Sequence, residues 1–331
     1  MKKLRASLVA SVAAASLILT GCSSSEGSSE SSSQAASSKK ITIEDNRGSV
    51  EVPVNPEKVA ITDNTAMRTL AEWDVKAVAM PLRLAPGNVA DKYNADTVSA
   101  DLGMHREPNL EAIVAAEPEV VINGNRFEQH YDAIKDLVPD AAMVELTPRD
   151  DKPLDEELIR ETEELGKIFG KEKEADKLVE DFKKAVERAK EAYDDEDKVM
   201  AVNVSGGDIG YVAPGQGVVY GKLFELLGMK PALEVDNASD DHQGDDISVE
   251  AIAKADPDFF LVLDRDAAVD ADNPEYKPAK DIIESNAALK NVEGIKDGNV
   301  VYADNHMYKD GGIIAYTDLL NSMADAFEKA D

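Results

Sequence analysis

Two stretches of the chain follow one pattern: residues 108–126 read PNLEAIVAAEPEVVINGNR, and residues 247–265 read ISVEAIAKADPDFFLVLDR. Each passes from Asn or Ser through Glu and Ile into a small-residue helix. An acid–Pro–acid turn, a buried strand and an arginine follow. Glu111 matches Glu250, Pro118 matches Pro257, and Arg126 matches Arg265. A repeated helix–turn–strand unit calls for one α/β lobe in each half of the chain. Between the copies, residues 173–193 read KEADKLVEDFKKAVERAKEAY, with no Gly or Pro. Ala175, Leu178, Phe182, Ala185 and Ala189 form an apolar stripe at helical spacing, and the opposite face is Lys and Glu. At 1.5 Å per residue this helix is roughly 30 Å long, about the width of a small domain, and reads as a strut between the lobes.

The rest of the chain divides accordingly. Residues 1–21 begin with Lys2, Lys3 and Arg5 and continue in an apolar run too short to span a bilayer, as a secretory leader does. Residues 22–40 are Ser-rich, lack any large apolar side chain, and predict a disordered tether. Residues 41–153 predict the N-terminal lobe, with a hairpin around Asn46-Arg47-Gly48, strands at 59–62 and 76–80, and a helix at 64–73 capped by Asp63 or Asn64. Residues 154–197 predict linker helices, the first ended by Gly170 and the second being the strut. Residues 198–331 predict the C-terminal lobe. It should hold a strand at 198–204, a Gly-rich loop at 205–220, helices at 221–228 and 282–291, a strand at 300–302 and a final helix at 313–330. The expected fold is α/β: two Rossmann-like lobes joined by one long rigid helix, with a ligand cleft between them.

Acidic residues outnumber basic ones 66 to 36, for a net charge of −30. Such a surface repels nucleic acid. The single Cys excludes an intrachain disulfide framework and any CxxC metal site. No catalytic motif is present, neither HExxH, nucleophile elbow nor P-loop, so no catalytic residue and no cofactor are assigned. Gly215, Gly217 and Gly221 have the wrong spacing for a dinucleotide fingerprint and suit a loop whose backbone approaches a ligand. His105, His130, His242 and His306 include no pair at i, i+4 and assign no metal site; a Zn²⁺- or Mn²⁺-binding transport protein is the alternative they leave open.

Arg83, Arg126 and Arg265 each follow a predicted parallel strand, where open α/β sheets bind ligands. Their fork-shaped guanidinium groups suit anionic oxygen. His242 and Tyr308 lie on loops at the same cleft as neutral hydrogen-bonding groups. Glu111 and Glu250 stand in the first turns of matched helices, near Asn109 and Ser248 as caps. There they complement the helix dipole, or present one carboxylate per lobe to a partner.

LTGC at 19–22, the Ser-rich tether, ITIEDNRGSVEVPVNPEKVAI, both repeat copies, ELGKIFGKEKEADKL and YKDGG occur in this order over essentially the whole mature chain. Together they resemble a substrate-binding lipoprotein of a bacterial ABC importer, of the class with a single helix between lobes that includes siderophore, haem and cobalamin binders. Within the class the chain is most similar to binders of ferric catecholate siderophores. The resemblance implies lipidation of Cys22, an anchor to the outer face of the cell membrane, and a monomer without enzymatic activity. Its partners would be a ferric siderophore and an ABC permease with its ATPase. The resemblance also implies ligand contacts from Arg83, Arg126, Arg265, His242 and Tyr308, and docking of Glu111 and Glu250 on the permease. One departure stands in the Gly-rich loop, where relatives of the catecholate type carry a further Arg and this chain has Gln216. Haem and cobalamin are the alternatives within the class.

Overall fold

The computed structural model describes residues 39–235, 238 and 243–330. Cys22, His242, the expected leader and the expected tether as far as residue 38 lie outside those residues, and the tether's expected end is corrected, because Lys40 already pairs with Pro53 in a strand.

The described chain opens with the antiparallel pair β1 (Lys40–Asp45) and β2 (Gly48–Pro53). Next come β3 (Val59–Ile61), α1 (Met67–Glu72), β4 (Ala77–Met80), β5 (Ala100–Asp101), α2 (Ala112–Ala116), β6 (Val120–Asn123), α3 (Tyr131–Leu137) and β7 (Ala142–Glu145). β3 to β7 form one parallel sheet in the order β5-β4-β3-β6-β7. Every residue of β3 and β6 is buried, which explains their unbroken apolar reading. α4 (Leu154–Phe169) and α5 (Glu172–Ala192) follow. The second half holds β8 (Lys198–Ser205), β9 (Asp208–Val212), α6 (Gly221–Leu227), β10 (Lys230–Pro231), α7 (Val249–Ala255), β11 (Phe259–Asp264), α8 (Arg265–Val269), α9 (Ala279–Ser285), α10 (Glu293–Asp297), β12 (Val300–Tyr302) and α11 (Ile313–Ala330). Its sheet runs β10-β8-β11-β12 in parallel, with β9 antiparallel on β8.

The repeat has a physical basis at its acid–Pro–acid turn. α2 ends on Glu117 and α7 on Asp256, both left-handed at φ 46. A left-handed residue stops a helix, and the following proline disfavours its continuation. The acid after each proline then reaches the start of the neighbouring central strand. Glu119 Oε2 accepts from the backbone N–H of Glu57 at 2.7 Å and of Lys58 at 3.1 Å, and Asp258 Oδ2 accepts from Lys198 N–H at 2.7 Å. The two turns thereby fix the register of β3 against β6 and of β8 against β11. The helix starts differ. Ser248 Oγ caps α7 by accepting from Ala251 N–H, whereas Asn109 offers α2 only its backbone carbonyl and Glu111 sits at the N-cap without a side-chain bond.

The strut is one arm of a helical hairpin, and both arms enter both cores. Leu154 and Leu158 of α4 pack in the core of the second sheet, while Leu165, Ile168 and Phe169 pack in that of the first. α5 runs the other way, with Ala175 in the first core and Val179, Phe182, Ala185 and Ala189 in the second. The arms touch closely, since a Cβ on Gly166 would lie 2.7 Å from that of Ala175. Gly170 makes the turn at φ 60.

Three smaller expectations are corrected. The 205–220 stretch is not all loop: Gly206-Gly207 turns β8 into β9, which pairs along its whole length. The helix expected at 282–291 starts earlier, after Pro278, and ends at Ser285. Neither Asp63 nor Asn64 caps α1, because the Asp63 carboxylate accepts from Thr65 instead.

Glu157 ties the segment entering the hairpin to α4. Its carboxylate, 3% exposed, accepts from Arg149 N–H at 3.0 Å, from Arg149 Nε at 2.8 Å and from Arg160 Nη2 at 2.8 Å. Burial pushes this carboxyl up, and the bonds from Arg149 and Arg160 overcome burial and hold it at about 2. A depressed folded pKa adds stability above the unfolded value and loses it as pH falls. Glu157→Gln should therefore cost about 2 kcal/mol at neutral pH, discounted for the partly exposed arginines. In urea titrations the gap to wild type should close between about pH 4.5 and about pH 2.

Candidate functional site

The loops at the C-terminal ends of β4, β6 and β11 face a cleft of about 1280 Å³. Arg83 lies on a single 3₁₀ turn, Leu82–Leu84, just after β4. Arg126 lies on the 3₁₀ helix Asn125–His130, one glycine after β6. Arg265 is the first residue of α8, directly after β11, where Asp264 caps by accepting from Ala267 N–H at 3.0 Å. The repeat thus delivers one arginine from each sheet to the same opening.

Tyr308 meets both. The Arg126 guanidinium carbon is 5.1 Å from the Tyr308 ring centroid and that of Arg265 is 5.3 Å away. An aromatic ring steers and steadies two neighbouring cations that would otherwise repel. Arg265 Nη1 donates to Ser205 Oγ at 3.2 Å, while the Nε of Arg126 and of Arg265 are buried and unpartnered among the described residues. Those Nε atoms are closed to solvent and Arg265 Nη1 also lies 3.5 Å from Asp266 Oδ1, so an incoming acceptor meets the terminal guanidinium nitrogens.

Four further residues line this cleft that the sequence did not assign to ligand contact: Arg47, Arg106, His105 and Lys309. Lys309 Nζ donates to the Arg83 carbonyl at 3.1 Å, and burial followed by Arg126 and Arg83 lowers its pKa. Burial, then Arg126, Arg106 and His130, lower that of His105 and favour the neutral ring. Arg47 donates from Nε to Glu145 at 2.9 Å and lies 3.8 Å above the Tyr131 ring, so its charge is shared with the hairpin's own support. Lys309 adjoins Tyr308 in sequence and Arg47 sits in the hairpin turn, which were the available signals. The six cations of the lining face three acids, Glu128, Asp270 and Asp272, so the cleft is a basic site on an acidic protein.

Gln216 stands elsewhere. It lines a second chamber of about 620 Å³ with Thr147 and Lys222, and this chamber meets the first at Asn125, Arg126, Tyr308 and Lys309. Glu111 and Glu250 are exposed and outside both chambers. Among the described residues no group of three or more His, Cys, Asp or Glu could hold a metal ion, and no helix is long and apolar enough to cross a membrane.

The Tyr308 loop is pinned to the first half of the chain. Asn64 Nδ2 donates to Lys309 O at 2.6 Å. Asn88 Nδ2 and Arg68 Nη1 donate to the buried Asp310 Oδ2 at 3.2 and 3.3 Å. Across the second chamber, Lys222 Nζ donates to Asp150 Oδ1 at 3.0 Å.

A family model described as periplasmic binding protein matches residues 59–307. The petrobactin-binding protein YclQ of Bacillus subtilis is 26% identical over 296 residues, covering 86% of each chain. The ferric-anguibactin-binding protein FatB of Vibrio anguillarum is 28% identical over 298 residues, covering 89% of each. The crystal structure of YclQ superimposes with a TM-score of 0.73 over 88% of this chain and 99% of that one, at 25% identity. The periplasmic catecholate-siderophore binding protein VctP of Vibrio cholerae shares the fold, with a TM-score of 0.71 over 88% of this chain and 100% of that one, at 21% identity.

Proposed function

This chain belongs to the periplasmic binding protein family, and we propose that within it the protein is the extracytoplasmic substrate-binding component of an ABC importer for iron–siderophore complexes. The observation that carries this reading is the pair of arginines, one from each sheet, held over the single ring of Tyr308 in a cleft of about 1280 Å³. A ferric catecholate is large, planar in its arms and multiply anionic, and it matches forked donors beside an aromatic face. The relatives YclQ and FatB, named for ferric or siderophore ligands, support the same class. Arg126, Arg265 and Tyr308 contact the ligand, Arg83 and Lys309 add charge at the N-terminal side, and Gln216 and His242 complete the set from the second half. Glu111 and Glu250 dock on the permease, and Cys22 carries the lipid that keeps the protein at the outer face of the membrane. The protein binds and releases its cargo without covalent chemistry.

Trp73, the only Trp, is buried at the end of α1 and reports ligand binding through energy transfer to a coloured complex. Its fluorescence in tether-free protein should be quenched by a ferric catecholate, and not by haem, cobalamin or free Zn²⁺. Quenching by haem or Zn²⁺ with none by ferric catecholate or ferric hydroxamate would sink the siderophore reading.

A further inference from the structure

Two buried carboxyl groups lie beneath the cleft and take no part in ligand contact. Asp63, directly after β3, is 1% exposed, and Glu161, in the middle of α4, is 3% exposed. Thr65 stands between them, its Oγ1 2.7 Å from Asp63 Oδ1 and 3.3 Å from Glu161 Oε1. Asp63 Oδ1 also accepts from Thr65 N–H at 2.9 Å, and its Oδ2 accepts a short bond from Thr147 Oγ1. Thr147 Oγ1 in turn accepts from Asn125 N–H at 3.0 Å.

The protons in this chain can be counted. Thr147 has one hydroxyl proton and gives it to Asp63, which leaves its oxygen free to accept from Asn125. Thr65 also has one, and Asp63 is its nearer acceptor. The Thr65–Glu161 contact is then a hydrogen bond only if Glu161 is the donor. Asp63, with donors on both oxygens, is the better placed of the two to carry charge, although burial raises its carboxyl as well, and Glu161 is the better placed to keep its proton. Two ionised carboxylates at this separation in a dry interior would be strongly unfavourable. Burial, and after it the charge of Asp63, push the Glu161 carboxyl well above the usual range. Arg160 and Glu157, the other charged groups facing it, lie on its own helix, and Arg160 is engaged by Glu157.

The far end of the chain is the turn that carries Arg126. Asn125 begins it in the left-handed region at φ 47, a conformation that needs a hold. Gly124 brings the backbone down onto the carboxylate, because a Cβ there would lie 1.8 Å from Thr147 Oγ1 and 2.3 Å from Asp63 Oδ2.

We propose that Glu161, Thr65, Asp63 and Thr147 form a positioning relay that runs from the interlobe helix α4 to the Asn125–Arg126 turn and sets the aim of Arg126 into the cleft. The relay rests on the ligand role given above to Arg126. Asp63 and Glu161 are positioning residues, since they act through Thr147 and the turn.

The test uses ¹⁵N-labelled tether-free protein, read by the amide signals of Asn125 and Arg126, with ferric 2,3-dihydroxybenzoate as the binding probe at one fixed pH. Gln and Met at position 161 fill similar space without charge, but only Gln donates to Thr65. Glu161→Gln should leave both signals near their wild-type positions and affinity within about threefold. Glu161→Met and Thr147→Val should each displace both signals and weaken binding about tenfold. The relay is overturned if Met and Gln behave alike, or if Thr147→Val leaves the signals in place. Unchanged binding in Arg126→Ala would remove the ligand reading alone, and the amide signals would still decide the relay.

Discussion

Replacing both Arg126 and Arg265 with alanine should weaken binding of a ferric tricatecholate by a factor on the order of 1000, with each single change costing about 30-fold. Charge-assisted hydrogen bonds are worth about 1.5–3 kcal/mol each, and 1.4 kcal/mol is a factor of ten. Both guanidinium groups lie within 5.3 Å of one ring centroid, so both address the same region of ligand. A double variant at the product of the singles means that the two groups act independently, and any departure from that product measures the coupling between them. Arg→Lys at either position keeps the charge and loses the planar fork, and should fall between wild type and alanine. Arg47→Ala is the control. Its charge is already shared with Glu145 and the Tyr131 ring, so affinity should change by less than about threefold. Titration of Trp73 fluorescence, repeated by calorimetry, gives all of these values. Equal losses for Arg47→Ala and Arg126→Ala would mean that general positive charge, rather than the Tyr308-centred pair, binds the ligand.

The largest loss of stability should follow Phe182→Ala on α5. Phe182 is fully buried in the core that joins α5 and α11 to β8 and β11. Deleting a buried aromatic ring removes its transfer free energy and leaves a cavity, together costing about 3–5 kcal/mol. That is a large part of the 5–15 kcal/mol that holds a typical domain together. Val114→Ala, at a site 46% exposed on α2, should change stability by less than about 0.5 kcal/mol. Urea unfolding followed by circular dichroism measures both. A loss below about 1 kcal/mol for Phe182→Ala would mean that α5 is held chiefly by its surface charges.

The long elements were legible because periodicity and punctuation agree in them. α4 is bounded by Pro153 and by Gly170 in the left-handed region, and α11 begins just after Gly311-Gly312. The buried strands of the repeat read as continuous apolar runs between Pro and Arg. β9 is hidden in the sequence because its five residues follow Gly206-Gly207 and include Gly210, which reads as loop, and only pairing with β8 makes them a strand. In the site, Arg83, Arg126 and Arg265 were legible because a residue that ends a parallel strand has a known destination. Arg106 and His105 come from an irregular segment with no such rule, and tertiary packing alone brings them to the cleft. Gln216 follows a glycine loop whose path is set by the contact of Gly221 with the Gln216 carbonyl, where a Cβ would lie 1.6 Å away. That contact places it in the second chamber. Asp63 has the position of a cap before α1, but the oxygens that would cap the helix are engaged by Thr65 and Thr147.

The doubled crossing between the lobes has a mechanical meaning. A single rod resists bending equally in every direction around its axis. Two rods fastened side by side, as Gly166 and Ala175 fasten α4 to α5, form a flat beam that is stiff across its width and compliant through its thickness. The orientation of that plank, more than the length of either helix, therefore selects the direction in which the two halves can give when cargo enters or leaves.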